Sequence, residues 1–335
     1  MTHLDGIRVV VVADRLTDLG GRILADLGAD VVLVEERQET TAPRRAAWLS
    51  GMRAAEAPLA ECLAEADVFL DGRRRGAAEG AEANHPETLI HVVAHPGIGT
   101  DDAPQTDLTL MAASGLMTVI GDPDMPPLRL PGEQGYALAG IQVATAALLG
   151  LAARRRTGRG QRIDVSATQA ATLANYREAV MYDWTGRVGH RTGNRLVRGS
   201  SGVRQVWPCA DGHVTWSMID NPGMMRSIVG ALEAEGVAGE LSAIDWDAIL
   251  VAETEQETVD RWQAIFADYF VRHDKATLGR LSLQQGWGLS PISTLADAAA
   301  DPHLEARGLW GVAGEGGTRL PSQLFRFVPS GGGGA

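Results

Sequence analysis

Residues 127–166 read PLRLPGEQGYALAGIQVATAALLGLAARRRTGRGQRIDVS, and their order decides the fold. Pro131-Gly132 marks a turn, after which the spacing predicts a helix over 133–156. Ala139, Gly140, Ala144, Ala146, Ala147, Gly150, Ala152 and Ala153 give that helix a small-residue surface that permits close approach of another helix or a sheet. Arg154, Arg155 and Arg156 fall at the negative pole of the helix dipole, and Gly158 at the cap position. Capping accounts for the three arginines; phosphate binding is the alternative. Arg162–Ser166 then reads as a strand, so a long helix feeds directly into a sheet, the mark of an α/β architecture.

Upstream, Ile7–Val12 is a continuous β-branched run, as expected of a strand buried on both faces. Asp18–Leu27 has helical spacing of Leu19, Ile23, Leu24 and Leu27 and is closed by Gly28. Asp30–Glu35 is a second buried strand, which predicts a parallel sheet with a right-handed crossover. The first strand–helix turn, ADRLTDLGG, lacks the G-x-G-x-x-G spacing that lets a backbone approach a pyrophosphate, so no nicotinamide or flavin is expected despite Glu35 and Glu36 downstream. A helix over Glu56–Glu65, a strand over Asp67–Leu70 and a strand over Leu89–Ala94 follow. The last of these ends in the loop His95–Gly99, at the carboxyl edge where ligands usually sit. Thr106–Val119 reads as one helix and Gly121–Pro127 as a turn-rich loop.

Downstream, Ala167–Met181 reads as a helix and Thr185–Ser201 as a linker. Gly202–Val206 and Gly212–Ser217 read as an antiparallel pair around a turn at Cys209–Gly212. Helices are expected near Met224–Glu235, Glu257–Arg272 and Lys275–Leu283, and the tail from Gly311 is rich in glycine.

The 335 residues hold one large domain or two unequal ones, and their 45% hydrophobic and 21% charged content is that of a globular protein. A net charge of −12 argues against a nucleic-acid partner, which needs a basic face. Lys275 is the sole lysine. Cys62 and Cys209 offer neither a disulfide framework nor zinc spacing, and Cys62 reads as a buried thiol in an apolar helix. The eight histidines are scattered without metal-ligand spacing, so no metal is expected. Ser166 lacks the G-x-S-x-G elbow of an acyl-serine hydrolase. The N-terminus lacks a signal-peptide pattern and no apolar run has the length to span a bilayer, so the expectation is a cytoplasmic protein with no membrane partner.

Several blocks together resemble the family III CoA-transferases. LDGIRVVVV (4–12) and GGRILADLGADVVLVE (20–35) look like the family's opening. NHPETLIHVVAHPGIG (84–99) is similar to its strand and glycine loop. The densest similarity lies in TDLTLMAASGLMTVIGDPDMPPLRL (106–130), GYALAG (135–140) and RTGRGQRIDVS (156–166). VWPCADGHVTW (206–216) resembles the start of the small domain, and ADPHLEARGLW (300–310) a late block.

The resemblance implies an α/β fold: a large domain with a Rossmann-like parallel sheet over 1–195, a smaller α/β domain over 196–290, and a linker and C-terminal tail over 291–335 returning toward the large domain. It also implies interlocked dimers and an activity that moves CoA between carboxylic acids, with coenzyme A or acyl-CoA as substrate. In such enzymes an aspartate attacks the acyl-CoA carbonyl, giving a mixed anhydride and then an aspartyl-CoA thioester that hands CoA to the acceptor acid. His95, Gly97, Gly99 and Gln105 are the residues expected to meet the CoA.

Aligned on Gly140 and the RTGRGQ block, the family's nucleophilic aspartate falls at Tyr136. A phenol ionises near pH 10 and is a poor nucleophile at neutrality. Glu133 is the nearest carboxylate; helical spacing would place it on the face of Tyr136, whereas Pro131-Gly132 points to a turn. A racemase of the same family would need a histidine where Thr106 stands, and an aspartate between Asp124 and Asp164, where none occurs. The family's A-G-P becomes Leu16-Thr17-Asp18, and its CoA-proximal N-R-G-K-R-S is reduced to WLSGMR (48–53). The expectation is a CoA-binding subunit that relies on an aspartate-bearing paralogue. The alternatives are a diverged enzyme using Tyr136 or Glu133 as acid or base, and a non-catalytic homodimer.

Overall fold

The computed structural model describes residues 3–34, 41–73, 85–98, 106–313, 318–321 and 325. In chain order its elements are β1 (Arg8–Val12), α1 (Asp18–Asp26), β2 (Asp30–Val34), α2 (Ala42–Trp48), β3 (Arg53–Ala54), α3 (Leu59–Ala64), β4 (Val68–Asp71), β5 (Ile90–His95), α4 (Asp107–Ala113), α5 (Gln134–Thr157), β6 (Gln161–Ser166), α6 (Ala167–Leu173) and α7 (Tyr176–Thr185). There follow β7 (Arg195–Arg198), β8 (Ser201–Arg204), β9 (Val206–Cys209), β10 (Gly212–Thr215), α8 (Pro222–Ala234), α9 (Gln256–Phe270), α10 (Lys275–Gln285), β11 (Ser290–Pro291), α11 (Leu295–Ala300), α12 (Pro302–Ala306), β12 (Trp310–Ala313) and β13 (Thr318–Pro321). They divide into two compact units. The first comprises Met1–Val119, Leu128–Gly189 and Pro302–Ala335; the second comprises Ile120–Pro127 and His190–Asp301.

The first unit is built on a six-stranded sheet in the order β3-β2-β1-β4-β5-β6, every pair parallel. The order reverses direction between β1 and β4, which makes their carboxyl ends the topological switch point. Alternation along β1 feeds two cores. Val9 and Val11 join Leu24, Ile90, Leu110 and Val143 on one face, and Val10 and Val12 join Cys62, Leu63 and Phe69 on the other.

Helix α5 lies on the first of these faces, and its glycines explain how closely. A Cβ on Gly140 would fall 2.7 Å from Leu19 Cβ on α1, and one on Gly150 would fall 2.4 Å from Ile90 Cγ2 on β5. Gly158 ends the helix in the left-handed region, at φ +71°. Of the three terminal arginines, Arg154 does more than complement the helix dipole, since it reaches Asp67 Oδ1 at 2.9 Å. By length and composition α5 could cross a bilayer, contrary to the reading that no such run exists. It is a core helix, with Val143, Ala144 and Ala147 packed in the first core.

Three further expectations needed correction. The helix read over Thr106–Val119 breaks at Gly115, at φ +81°, leaving α4 and a 3-10 turn over Leu116–Val119. The helix read over Ala167–Met181 is two, α6 and α7, parted at Ala174-Asn175. The stretch read as a linker contains β7, which pairs with β8, while the strand paired with β10 is β9, which takes only Val206 from the expected run 202–206. Arg22, buried on α1, donates to the carbonyls of Ala47 and Pro321, which ties α2 and the β12–β13 hairpin to the first unit.

The second unit has its own core. Trp207, Trp216, Phe266 and Phe270 interlock at centroid distances of 4.7–5.9 Å for four of their contacts. Met225, Ile228, Leu232, Trp246 and Trp287 close around them.

Candidate active site

The chain leaves β1 through a tight turn that its side chains enforce. Asp14 Oδ1 accepts from Leu16 N at 3.0 Å, and Thr17 Oγ1 donates to Val12 O at 3.0 Å. This holds Arg15 above the carboxyl edge at the switch point. The end of β4 abuts the same turn, because a Cβ on Gly72 would lie 2.5 Å from Asp14 Cβ. On either side of Gly72 stand Asp71, fully buried, and Arg73, whose Nε and Nη2 grip both Asp71 oxygens at 2.9 and 2.8 Å. Burial pushes the Asp71 carboxyl up, but hydrogen bonds from Arg73 and His91 outweigh it and carry the group to about 2. It is a fixed anion that braces the edge.

The N-terminus of α5 arrives at this edge with an unusual cap. The N-cap residue itself, Glu133, is non-helical at φ −112°, ψ 63° and makes no side-chain capping bond. Asp107, buried in the first turn of α4, supplies the cap from outside. Its Oδ1 accepts from Gly135 N at 2.7 Å and from Tyr136 N at 3.2 Å. A carboxylate there satisfies two of the orphan amides and suits the positive end of the dipole. Gly135 is required by the approach, since its Cβ would meet Asp107 Oδ1 at 3.1 Å and Leu110 Cβ at 3.2 Å.

Glu133, released from capping, pairs with Arg15: Oε1 lies 2.6 Å from Nη1. Tyr136 is 7% exposed, and the Arg15 guanidinium carbon stands 5.8 Å from its ring centroid. Burial raises the pKa of the phenol; Arg15 opposes the rise, and the charges of Asp14, Asp107 and Glu133 add to it. Tyr136 is therefore neutral at physiological pH, a hydrogen-bond donor rather than an anionic nucleophile.

The structure thus brings the sequence candidates Tyr136 and Glu133 together, with Glu133 in the turn that Pro131-Gly132 indicated. Two residues that the sequence reading did not select, Arg15 and Asp107, organise them. His95 is the last residue of β5 rather than part of the following loop. It is buried, and its Nδ1 meets Gly97 O at 2.9 Å, so the imidazole closes the turn that carries Gly97. Thr168 Oγ1 donates to Pro96 O at 2.8 Å and fastens that turn to α6. Gly99 and Gln105 lie outside the described residues. Ser166 is the N-cap of α6, its hydroxyl accepting from Gln169 N. Lys275 belongs to the second unit, paired with Asp297 at 2.6 Å.

The model of CoA-transferase family III matches residues 51–330. The chain is 26% identical to the BbsE subunit of succinyl-CoA:(R)-benzylsuccinate CoA-transferase from Thauera aromatica, over 90% of this chain and 82% of that one. It is 25% identical to the succinate–glutarate CoA-transferase of Agrobacterium fabrum, over 98% and 89% of the two chains. In fold it resembles a CaiB/BaiF family protein from Brucella suis at a TM-score of 0.84 and 23% identity, covering 97% of this chain and 93% of that one. The match to the family model spans most of the chain, which therefore belongs to CoA-transferase family III.

Proposed function

We propose that this protein takes part in moving CoA between carboxylic acids, as a subunit that binds acyl-CoA or acid and relies on an aspartate-bearing partner chain for covalent chemistry. The observation that carries the reading is Tyr136, a buried neutral phenol in the first turn of α5, where the resemblance places the nucleophilic carboxylate. A carboxylate attacking a thioester carbonyl forms an anhydride and releases the CoA thiolate, and the anhydride remains activated for the thiolate's return. A phenol cannot form that anhydride. The neighbouring carboxylates are committed elsewhere, Glu133 to Arg15 and Asp107 to the amides of α5. One relative, from Thauera aromatica, is itself named as a subunit.

A second reading has the neutral Tyr136 hydroxyl acting as a proton donor in altered chemistry, with Glu133 as the accompanying base. The test is CoA transfer from succinyl-CoA to a panel of dicarboxylates. It is run with the pure chain and with the chain co-expressed with a second family III protein of the same source. Co-purification and transfer only in the pair is the expected result. Turnover by the pure chain overturns the subunit reading; a severe loss of that turnover in Tyr136→Phe and Glu133→Gln would favour the second.

A further inference from the structure

Arg15 stands at the switch point with most of its hydrogen-bonding capacity unengaged. Its Nη1 donates to Glu133 Oε1, and among the described residues its remaining N–H groups meet no hydrogen-bond acceptor. The side chain is 40% exposed, so solvent reaches it and it can meet a ligand. A guanidinium edge matches a carboxylate in shape and charge, because two parallel N–H groups can grip both oxygens at once. The cation also leans over Tyr136, 5.8 Å from the ring centroid, which directs it at the position where the family's transfer chemistry would occur.

Glu133 offers this cation the same functional group that a free acid would offer. It sits outside the helix on non-helical backbone, and α5 is capped by Asp107 instead. Its side chain can therefore swing away without uncapping α5. Resting on the reading that this site serves CoA transfer between acids, we propose that Arg15 recognises the carboxylate of the free acid. Glu133 is the internal carboxylate which that acid must displace. The pair is then a selectivity device: only a ligand whose anionic group outcompetes a tethered glutamate opens the site. A purely structural ion pair makes the opposite demand, since breaking it from either side gives no new binding.

The experiment is calorimetric titration of the full chain with acetate, succinate and glutarate, with succinamide as an uncharged control. Removing the competitor in Glu133→Gln is expected to tighten binding of at least one acid about fivefold, the affinity equivalent of a modest ion pair. Arg15→Gln is expected to lose acid binding, and succinamide is expected not to bind. The tightening cannot come from misfolding, which keeps the proposal testable should Arg15→Gln fold poorly. Acid binding to Arg15→Gln at wild-type affinity overturns the proposal. So does a Glu133→Gln protein that binds no acid more tightly than the wild type. Binding is read without turnover: a pure chain that transfers CoA sinks the subunit reading alone, whereas acid binding indifferent to Arg15 sinks this inference alone.

Discussion

Tyr136 gathers the charges around the N-terminus of α5 into one ionisation. Burial makes the phenolate costly, and three nearby carboxylates add to the cost while Arg15 subtracts from it. A folded-state pKa above the unfolded value means that the unfolded chain gives up this proton first as pH rises. The stability contributed is complete below about pH 10 and is lost as pH climbs through the folded value. Tyr269 behaves alike in the second unit, pushed up to about 12 by burial and by Glu235. An absorbance titration of phenolate should therefore show a late component that shrinks in Tyr136→Phe and again in Tyr269→Phe. An unchanged late component in Tyr136→Phe would contradict the buried, acid-flanked setting. The resemblance could be laid on position 136 because its distance from Gly140 and from the RTGRGQ block is fixed along one helix. Arg15 and Asp107 were not legible in the sequence, because they meet Glu133 and the α5 amides across 118 and 28 residues of chain, and only the packed sheet brings such groups together.

At the scale of elements, α5 decides the geometry, and it does so through absent side chains. Gly20 and Gly140 face each other across α1 and α5: a Cβ on Gly20 would fall 2.8 Å from Val143 Cγ1, and one on Gly140 3.2 Å from Gly20 N. Adding a methyl at Gly140 meets backbone and Cβ atoms that cannot turn aside. Gly140→Ala is expected to cost about 1–3 kcal/mol despite the better helix propensity of alanine, as overpacking of a filled interface does. A urea melt reads this directly; a neutral or stabilising result would mean that the helices separate freely. The small-residue face of α5 was visible in its composition, as were β1, α1 and β2 in their periodicity. The breaks at Gly115 and at Ala174-Asn175 were not, since apolar spacing continues across them and only the backbone turn reveals them. Strand β7 was lost for a related reason: four residues paired with β8 two residues later carry too short a pattern to stand out from a glycine- and arginine-rich stretch.

At the scale of the molecule, the two units are packed with interiors of different composition. The first is aliphatic, made of β-branched strands under an alanine-rich helix, as a parallel sheet covered on both faces requires. The second is aromatic, holding Trp207, Trp216, Trp246, Trp262 and Trp287, each no more than 5% exposed. Apart from Ile120–Pro127, the second unit is one continuous stretch, His190–Asp301. Among the described residues, the hydrogen bonds from its main run to that short segment are few: Gly193 N to Gly121 O, and Arg191 to the carbonyls of Asp122 and Pro123. Arg191 is bonded there in part-open surroundings, where each contact is worth about 1 kcal/mol or less. The aromatic cluster, by contrast, lies wholly within 190–301, and each buried aromatic side chain contributes several times that amount. Residues 190–301 expressed alone should therefore fold cooperatively, with blue-shifted tryptophan emission and a single sigmoidal melt. Red-shifted emission and a featureless melt would show that the second core depends on the first unit, and that the chain folds as one body rather than two.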